Sequence, residues 1–102
     1  MVDFSLISNT YDGIHQHLVE TPLLESPFLS NRLNKRVLIK AECLQKTGSF
    51  KYRGSWSSFV NNDIENLKKG VLAYSSGNHA QGIAAVAKQL KIEATIIMPK
   101  DA

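Results

Sequence analysis

Three short runs rich in apolar residues, separated by two stretches of helical length, constrain this chain more than any other feature. The runs are Arg36-Val37-Leu38-Ile39-Lys40-Ala41-Glu42, Gly70-Val71-Leu72-Ala73-Tyr74 and Ala94-Thr95-Ile96-Ile97-Met98. Their β-branched and apolar content is that of strands. Between them, Ser49 to about Asn61 and Gly77 to Leu90 carry helical patterns, the second with Ile83, Ala84, Val86, Ala87 and Leu90 on one broad apolar face. Such alternation predicts an α/β fold of βαβ crossovers, with a parallel sheet and helices on its faces. Upstream, Leu6, Ile7, Tyr11, Ile14 and Leu18 recur at helical spacing. They predict a first helix ending before Thr21-Pro22, because the residue before a proline is pushed out of the helical region. A short helix is expected from Phe28 to Leu33. The last strand runs into Met98-Pro99-Lys100-Asp101-Ala102, where an α/β pattern would begin its next helix. The chain therefore reads as the front portion of a larger α/β protein.

Composition removes several alternatives. With 43% hydrophobic and 21% charged residues, the 102-residue chain belongs with globular proteins rather than disordered ones. The net charge of +3 comes from scattered Lys and Arg, with Lys68-Lys69 the longest basic run, so no nucleic-acid partner is expected. Cys43 is the only cysteine, which rules out an internal disulfide and fits a reducing compartment. No segment approaches the ~20 apolar residues of a membrane span, and Met1 to Ser5 lacks the basic-then-apolar pattern of a secretory signal. The expectation is a cytoplasmic protein without membrane contacts.

Two segments carry chemistry. Gln45-Lys46-Thr47-Gly48-Ser49-Phe50-Lys51-Tyr52-Arg53-Gly54 leaves a predicted strand, turns at Thr47-Gly48 and enters a helix that Ser49 could cap. Lys51 then stands in the first helical turn, where the positive end of the helix dipole works against its ammonium form and Arg53 and Lys46 add positive charge. A lysine so placed is suited to act as an amine nucleophile. The plain alternative is a solvated lysine beside a turn. The second segment, Tyr74-Ser75-Ser76-Gly77-Asn78-His79-Ala80-Gln81-Gly82, lies at the carboxyl end of a strand and opens a helix. Open α/β sheets bind ligands there, and free N–H groups at a helix start attract carboxylates and phosphates. Its plain alternative is an N-cap at Ser76 or Asn78. Gly77 and Gly82 do not form a nucleotide loop, because the Gly-Lys-Ser/Thr ending and the Gly-x-Gly-x-x-Gly spacing are both missing.

Together, Lys46-Thr47-Gly48-Ser49-Phe50-Lys51-x-Arg53-Gly54 and Ser75-Ser76-Gly77-Asn78-His79-Ala80-Gln81 resemble the fold-type II (tryptophan synthase beta-like) pyridoxal-phosphate (PLP) enzymes of the serine/threonine dehydratase and serine racemase family. Thr21-Pro22-Leu23 and Ile97-Met98-Pro99 extend the resemblance over nearly the whole chain from Thr21 onward. The resemblance implies Lys51 as the Schiff-base lysine and proton carrier on one face of the cofactor, with Phe50 packed beside the ring. It implies Asn78 as partner of the cofactor's 3-oxygen, and Ser75, Ser76, Asn78 and His79 as the loop that holds the substrate carboxylate. It further implies residues 1–52 as the start of a larger cofactor domain, residues 53–102 as the start of a smaller domain that closes over substrate, and a homodimer at full length.

Ser76 narrows the subgroup that is implied. In racemases and hydroxyaspartate dehydratases of the family a serine at that motif position faces the substrate opposite the lysine, where threonine dehydratases usually carry alanine. Racemisation needs such a second acid/base, because the proton leaves from one face and returns on the other. The implied activity is a dehydratase (ammonia-lyase) or racemase acting on a small hydroxy amino acid such as serine or threonine. The family's glycine-rich phosphate cup and its acidic divalent-cation ligands have no counterpart in these residues, so a divalent cation is expected only in a full-length enzyme. Two other readings stand beside this one: a non-catalytic fragment that binds a small anion through Ser75 to His79, and another fold-type II activity such as cysteine synthase-like replacement.

Overall fold

The computed structural model describes residues 1–102. Its elements run α1 (Phe4–Ile14), β1 (Leu23–Glu25), α2 (Pro27–Leu33), β2 (Leu38–Lys40), α3 (Lys51–Val60), α4 (Ile64–Leu67), β3 (Val71–Tyr74), α5 (Asn78–Leu90) and β4 (Ala94–Ile97). Single 3-10 turns follow at His15–His17, Glu42–Leu44 and Lys46–Gly48.

The crossover expected at the C-terminal end is present. β3 and β4 are parallel, in register from Val71 opposite Ala94 to Tyr74 opposite Ile97, and α5 connects them. Side chains alternate across these strands. Val71, Ala73, Ala94 and Ile96 pack toward the core, whereas Leu72, Tyr74 and Ile97 point away and are 71%, 84% and 56% exposed. Apolar residues on both faces are the mark of a parallel sheet covered on both sides; here the helices cover one.

β2 departs from the expected topology. The alternating pattern places it in the same parallel sheet, reached through α3, yet it pairs antiparallel with β1, with Leu23 opposite Lys40 and Glu25 opposite Leu38. β1 is itself a strand the pattern does not reveal, being three residues long. The cause is local. Ser26 caps α2 through its hydroxyl and Pro27 opens the helix, while Asn34 ends it in the left-handed region at φ 49°. The chain is thereby returned alongside β1 before any long-range pairing is needed. α4, capped by Asp63, is also additional to the expected elements.

The core lies between α3 and α5. Tyr52, Trp56 and Phe59 recur at helical spacing along α3 and are 1–4% exposed; Ile83, Val86 and Ala87 face them from α5, with Ile14 of α1 and Leu67 of α4 at the margins. Tyr52 meets Trp56 edge-on, with centroids 6.4 Å apart, and its hydroxyl donates to Gln89 Oε1 at 3.2 Å. His17 stacks on the other side of Trp56, 3.7 Å between centroids. Of the apolar face expected on α5, Ala84 and Leu90 remain exposed. The whole is open in shape. Its radius of gyration is 16.4 Å where a compact domain of this length has about 13 Å, and it exposes 7653 Å² where a compact globule of this mass exposes about 5,700 Å².

This division between a packed and an open face is measurable by urea unfolding of the chain. Phe59→Ala, in the core, should lower stability by about 3–5 kcal/mol, while Leu72→Ala on the uncovered strand face should stay within about 0.5 kcal/mol. Equal losses would contradict the assignment of the two faces.

Candidate functional site

The turn that delivers Lys51 is held by side chains from distant parts of the chain. Gln45, 4% exposed, donates from Nε2 to the Val19 carbonyl and accepts the Val19 N–H at Oε1, both at 2.9 Å. The same Oε1 accepts the N–H of Lys46 at 3.0 Å. Thr47 and Gly48 then adopt φ values of +63° and +75°, which reverses the chain as the turn signal predicts. Left-handed geometry is natural for Gly48 and unusual for a β-branched threonine. Ser49 is buried and its Oγ accepts the Lys51 N–H at 3.3 Å, while Phe50 occupies the N-cap position itself with helical φ and ψ. Ser49 thus helps to close the helix start from one residue further back than a simple cap.

Lys51 is the first residue of α3, and its ammonium is exposed. The Nζ atom stands 5.0 Å from the centroid of the Phe50 ring, within cation–π range. The two cations expected to crowd it are engaged elsewhere. Arg53 donates through Nε and Nη2 to the two oxygens of Glu42, each at 2.8 Å, and Lys46 Nζ donates to the His17 carbonyl at 2.7 Å. Glu42 also accepts from the Thr21 hydroxyl at 2.5 Å, and the Thr21 carbonyl accepts from Lys40 Nζ at the same distance. The Arg53 hydrogen bonds, aided by Thr21, hold the Glu42 carboxyl below its ordinary 4.5 against the burial that raises it. The same pair raises the Arg53 guanidinium above its ordinary value. Their role is to tie the Thr21 segment to α3, and so to anchor the helix that begins with Lys51.

The second segment is shaped by backbone geometry. Ser75 N–H donates to the Ile97 carbonyl at 3.0 Å, continuing the parallel ladder, and its Oγ accepts the Gly77 N–H at 3.2 Å. Gly77 is the N-cap of α5 and no side chain caps the helix, so neither Ser76 nor Asn78 plays that part. The N–H groups of the first turn remain directed outward at the end of a 13-residue helix.

A cleft of about 840 Å³ at the carboxyl ends of β3 and β4 brings Lys51 together with Ser75, Ser76 and His79. Leu72, Ala73, Tyr74, Ile97 and Pro99 complete its walls, and the sequence pattern does not single these five out as site residues. Asn78, at the first position of α5, and Phe50, 60% exposed, lie outside the cleft wall. A separate apolar hollow of about 470 Å³ between α1 and α3, bounded by Leu6, Ile7, Tyr11 and Gly54, contains none of these chemical groups. Glu42, Gln45 and Thr21 are the supporting residues that sequence reasoning misses. Glu42 and Arg53 are eleven residues apart and Gln45 reaches back twenty-six, so no local periodicity connects them.

A primary amine, hydroxyls, an imidazole and an open helix start, gathered at the carboxyl ends of parallel strands, define an α/β site able to hold a carbonyl compound that carries an anionic group. The chain belongs to the family of pyridoxal-phosphate dependent enzymes, whose model it matches over residues 14–102. It is 45% identical over 89 residues to the L-threo-3-hydroxyaspartate ammonia-lyase of Saccharomyces cerevisiae, covering 87% of this chain and 27% of the relative. With a biosynthetic L-threonine dehydratase of Lactococcus lactis it shares 42% identity over 99 residues, 97% of this chain and 24% of that one. The solved structure of serine racemase from Dictyostelium discoideum superposes with a TM-score of 0.90 at 35% identity, covering 99% of this chain and 33% of that structure. The chain therefore spans about a quarter to a third of the length of these relatives. No helix is long and apolar enough to cross a membrane.

The Glu42–Arg53 pair has a pH signature. Because the folded carboxyl titrates below its ordinary 4.5, its contribution is present above that value and is lost as pH falls through the depressed folded value. Glu42→Gln should cost about 2 kcal/mol at pH 7. The gap between variant and parent, read from denaturation at a series of pH values, should narrow below pH 4.5. A gap constant down to pH 2 would refute the pair's role.

Proposed function

We propose that this chain supplies the lysine-bearing part of a PLP-dependent dehydratase (ammonia-lyase) or racemase acting on a small hydroxy amino acid such as serine or threonine. The observation that carries the reading is the single cleft in which Lys51 faces Ser75, Ser76 and His79. Its donor set fits the cofactor's functional groups: an amine for the aldehyde, and hydroxyls, imidazole and a helix start for anionic oxygens. PLP, when bound, supplies an electron sink that loosens the bonds at the substrate's α-carbon.

The residues of this chain do the rest. Lys51 holds the cofactor and moves a proton at the α-carbon on one face, and Ser76 does so on the other. Ser75, Ser76, Asn78 and His79 grip the substrate carboxylate; Asn78 also meets the 3-oxygen, and Phe50 packs beside the ring. Elimination of water from the hydroxy amino acid gives an imine, which takes up water again on hydrolysis to a keto acid and ammonia, whereas proton return to the far face yields the opposite enantiomer. The printed activities of the relatives, ammonia-lyase, dehydratase and racemase, support this substrate class. Residues 1–52 then begin the cofactor domain and residues 53–102 the smaller substrate-closing domain, a division that leaves one two-stranded sheet on each side. A homodimer, a divalent cation bound outside this chain and a cytoplasmic location complete the proposal.

Titration of the purified chain with PLP should produce a visible absorbance band that borohydride fixes onto Lys51, located by peptide mass spectrometry, and Lys51→Ala should abolish it. This chain by itself is expected to be inactive; in turnover assays of a full-length enzyme that contains it, Ser76→Ala should lower D-serine consumption at least about 100-fold and leave water elimination from L-serine nearly unchanged. Equal loss of both activities would refute the far-face role of Ser76.

A further inference from the structure

The tightest approach between the two helices of the core falls on Lys51 itself. A Cβ atom at position 82 would lie 2.5 Å from Ser55 Oγ, 3.2 Å from the Lys51 carbonyl oxygen and 3.3 Å from its carbonyl carbon. Gly82 is buried, and Ser55 is 2% exposed with its hydroxyl donating to that same Lys51 carbonyl at 3.0 Å. Ser55 therefore cannot swing aside without breaking its own hydrogen bond. Glycine disfavours a helix relative to alanine, and at this position in α5 the steric reason for it is visible. The other helical glycines show the contrast: Gly13 and Gly54 have nothing within 4 Å of a would-be Cβ. Gly82 follows Asn78 by four residues, one helical turn and about 6 Å along the axis. The contact on Lys51 is thus made by the same face of α5, close to the end that carries Ser75 to His79.

We propose that Gly82 is a positioning residue for Lys51: its missing side chain lets α5 rest on the Lys51 backbone and so sets the distance between that lysine and the Ser75–His79 loop across the cleft. A side chain at 82 drives α5 away from α3 by about 1 Å, a displacement that can cost a reacting site about 100-fold. Ser55 is the other half of the device, filling the space that Gly82 leaves. The inference rests on the PLP reading of Lys51 for its functional consequence, and on packing alone for its geometry.

The test compares the parent chain with Gly82→Ala, Gly82→Ala/Ser55→Ala and Gly54→Ala. Each is titrated with PLP to obtain a Kd from the borohydride-fixable band, and each is compared by amide NMR shifts at Lys51–Tyr52 and Ser75–Ala80. The Gly82→Ala variant should bind PLP at least tenfold more weakly and shift both sets of amides. Removing the 2.5 Å clash in the double variant should restore part of both, since the 3.2 Å contact on the Lys51 carbonyl stays, and Gly54→Ala should match the parent. Folded Gly82→Ala with parental Kd and parental shifts overturns the proposal, as does a double variant no better than the single one. Should Gly82→Ala fail to fold, the double variant decides: rescue of folding supports the spacing role and continued unfolding overturns it. If the parent forms no band, the titration is repeated on a full-length enzyme, where a missing band overturns the PLP reading; the amide shifts of this chain alone support or overturn the positioning role.

Discussion

The crossing of α3 and α5 is the contact on which everything else in this chain depends. It joins the two chemical segments, because α3 begins with Lys51 and α5 begins just after Ser75 and Ser76. The core residues Tyr52, Trp56 and Phe59 hold one side of it, and Ile83, Val86 and Ala87 the other. Helices with ordinary side chains at the crossing pack 8–10 Å apart; glycine at 82 lets these approach until backbone meets hydroxyl. Burial of large aromatic side chains supplies the stability, and the small residues supply the alignment.

A polar scaffold completes what packing begins. The turn before Lys51 has two successive left-handed residues and little apolar surface to hold it, so its conformation is imposed from outside. Gln45 does this by pairing with both backbone groups of Val19, and Glu42 by joining Arg53 to Thr21. Charges that look in the sequence like an electrostatic environment for Lys51 are in fact structural fasteners. What remains around the lysine is an exposed amine beside Phe50, facing hydroxyls, an imidazole and the outward end of a helix. That arrangement suits a ligand that brings its own reactivity and needs to be held and oriented.

Much of this was legible in the sequence. The β3–α5–β4 crossover followed from apolar runs flanking a helical pattern and the turn at Thr47-Gly48 from its glycine, and a short helix was expected where α2 stands. The two motifs identified the chemical segments, and with them the family. The sheet containing β2 was not legible. Its partner is a strand of three residues, too short to show a period, and the antiparallel pairing is imposed by the capped turn of α2 between them.

The sequence by itself determined on which kind of element each candidate group would stand, because helix starts, turns and strands are written in patterns a few residues long. Only the tertiary structure decided which of them meet. Lys51, Ser75, Ser76 and His79 share a cleft, with Leu72, Ala73, Tyr74, Ile97 and Pro99 as its walls, while Arg53 and Lys46 turn away to Glu42 and the His17 carbonyl. Those outcomes rest on contacts between residues eleven to twenty-nine positions apart and on the close fit of Gly82 against Ser55. Such contacts arise from shape and burial in three dimensions, and no local pattern encodes them.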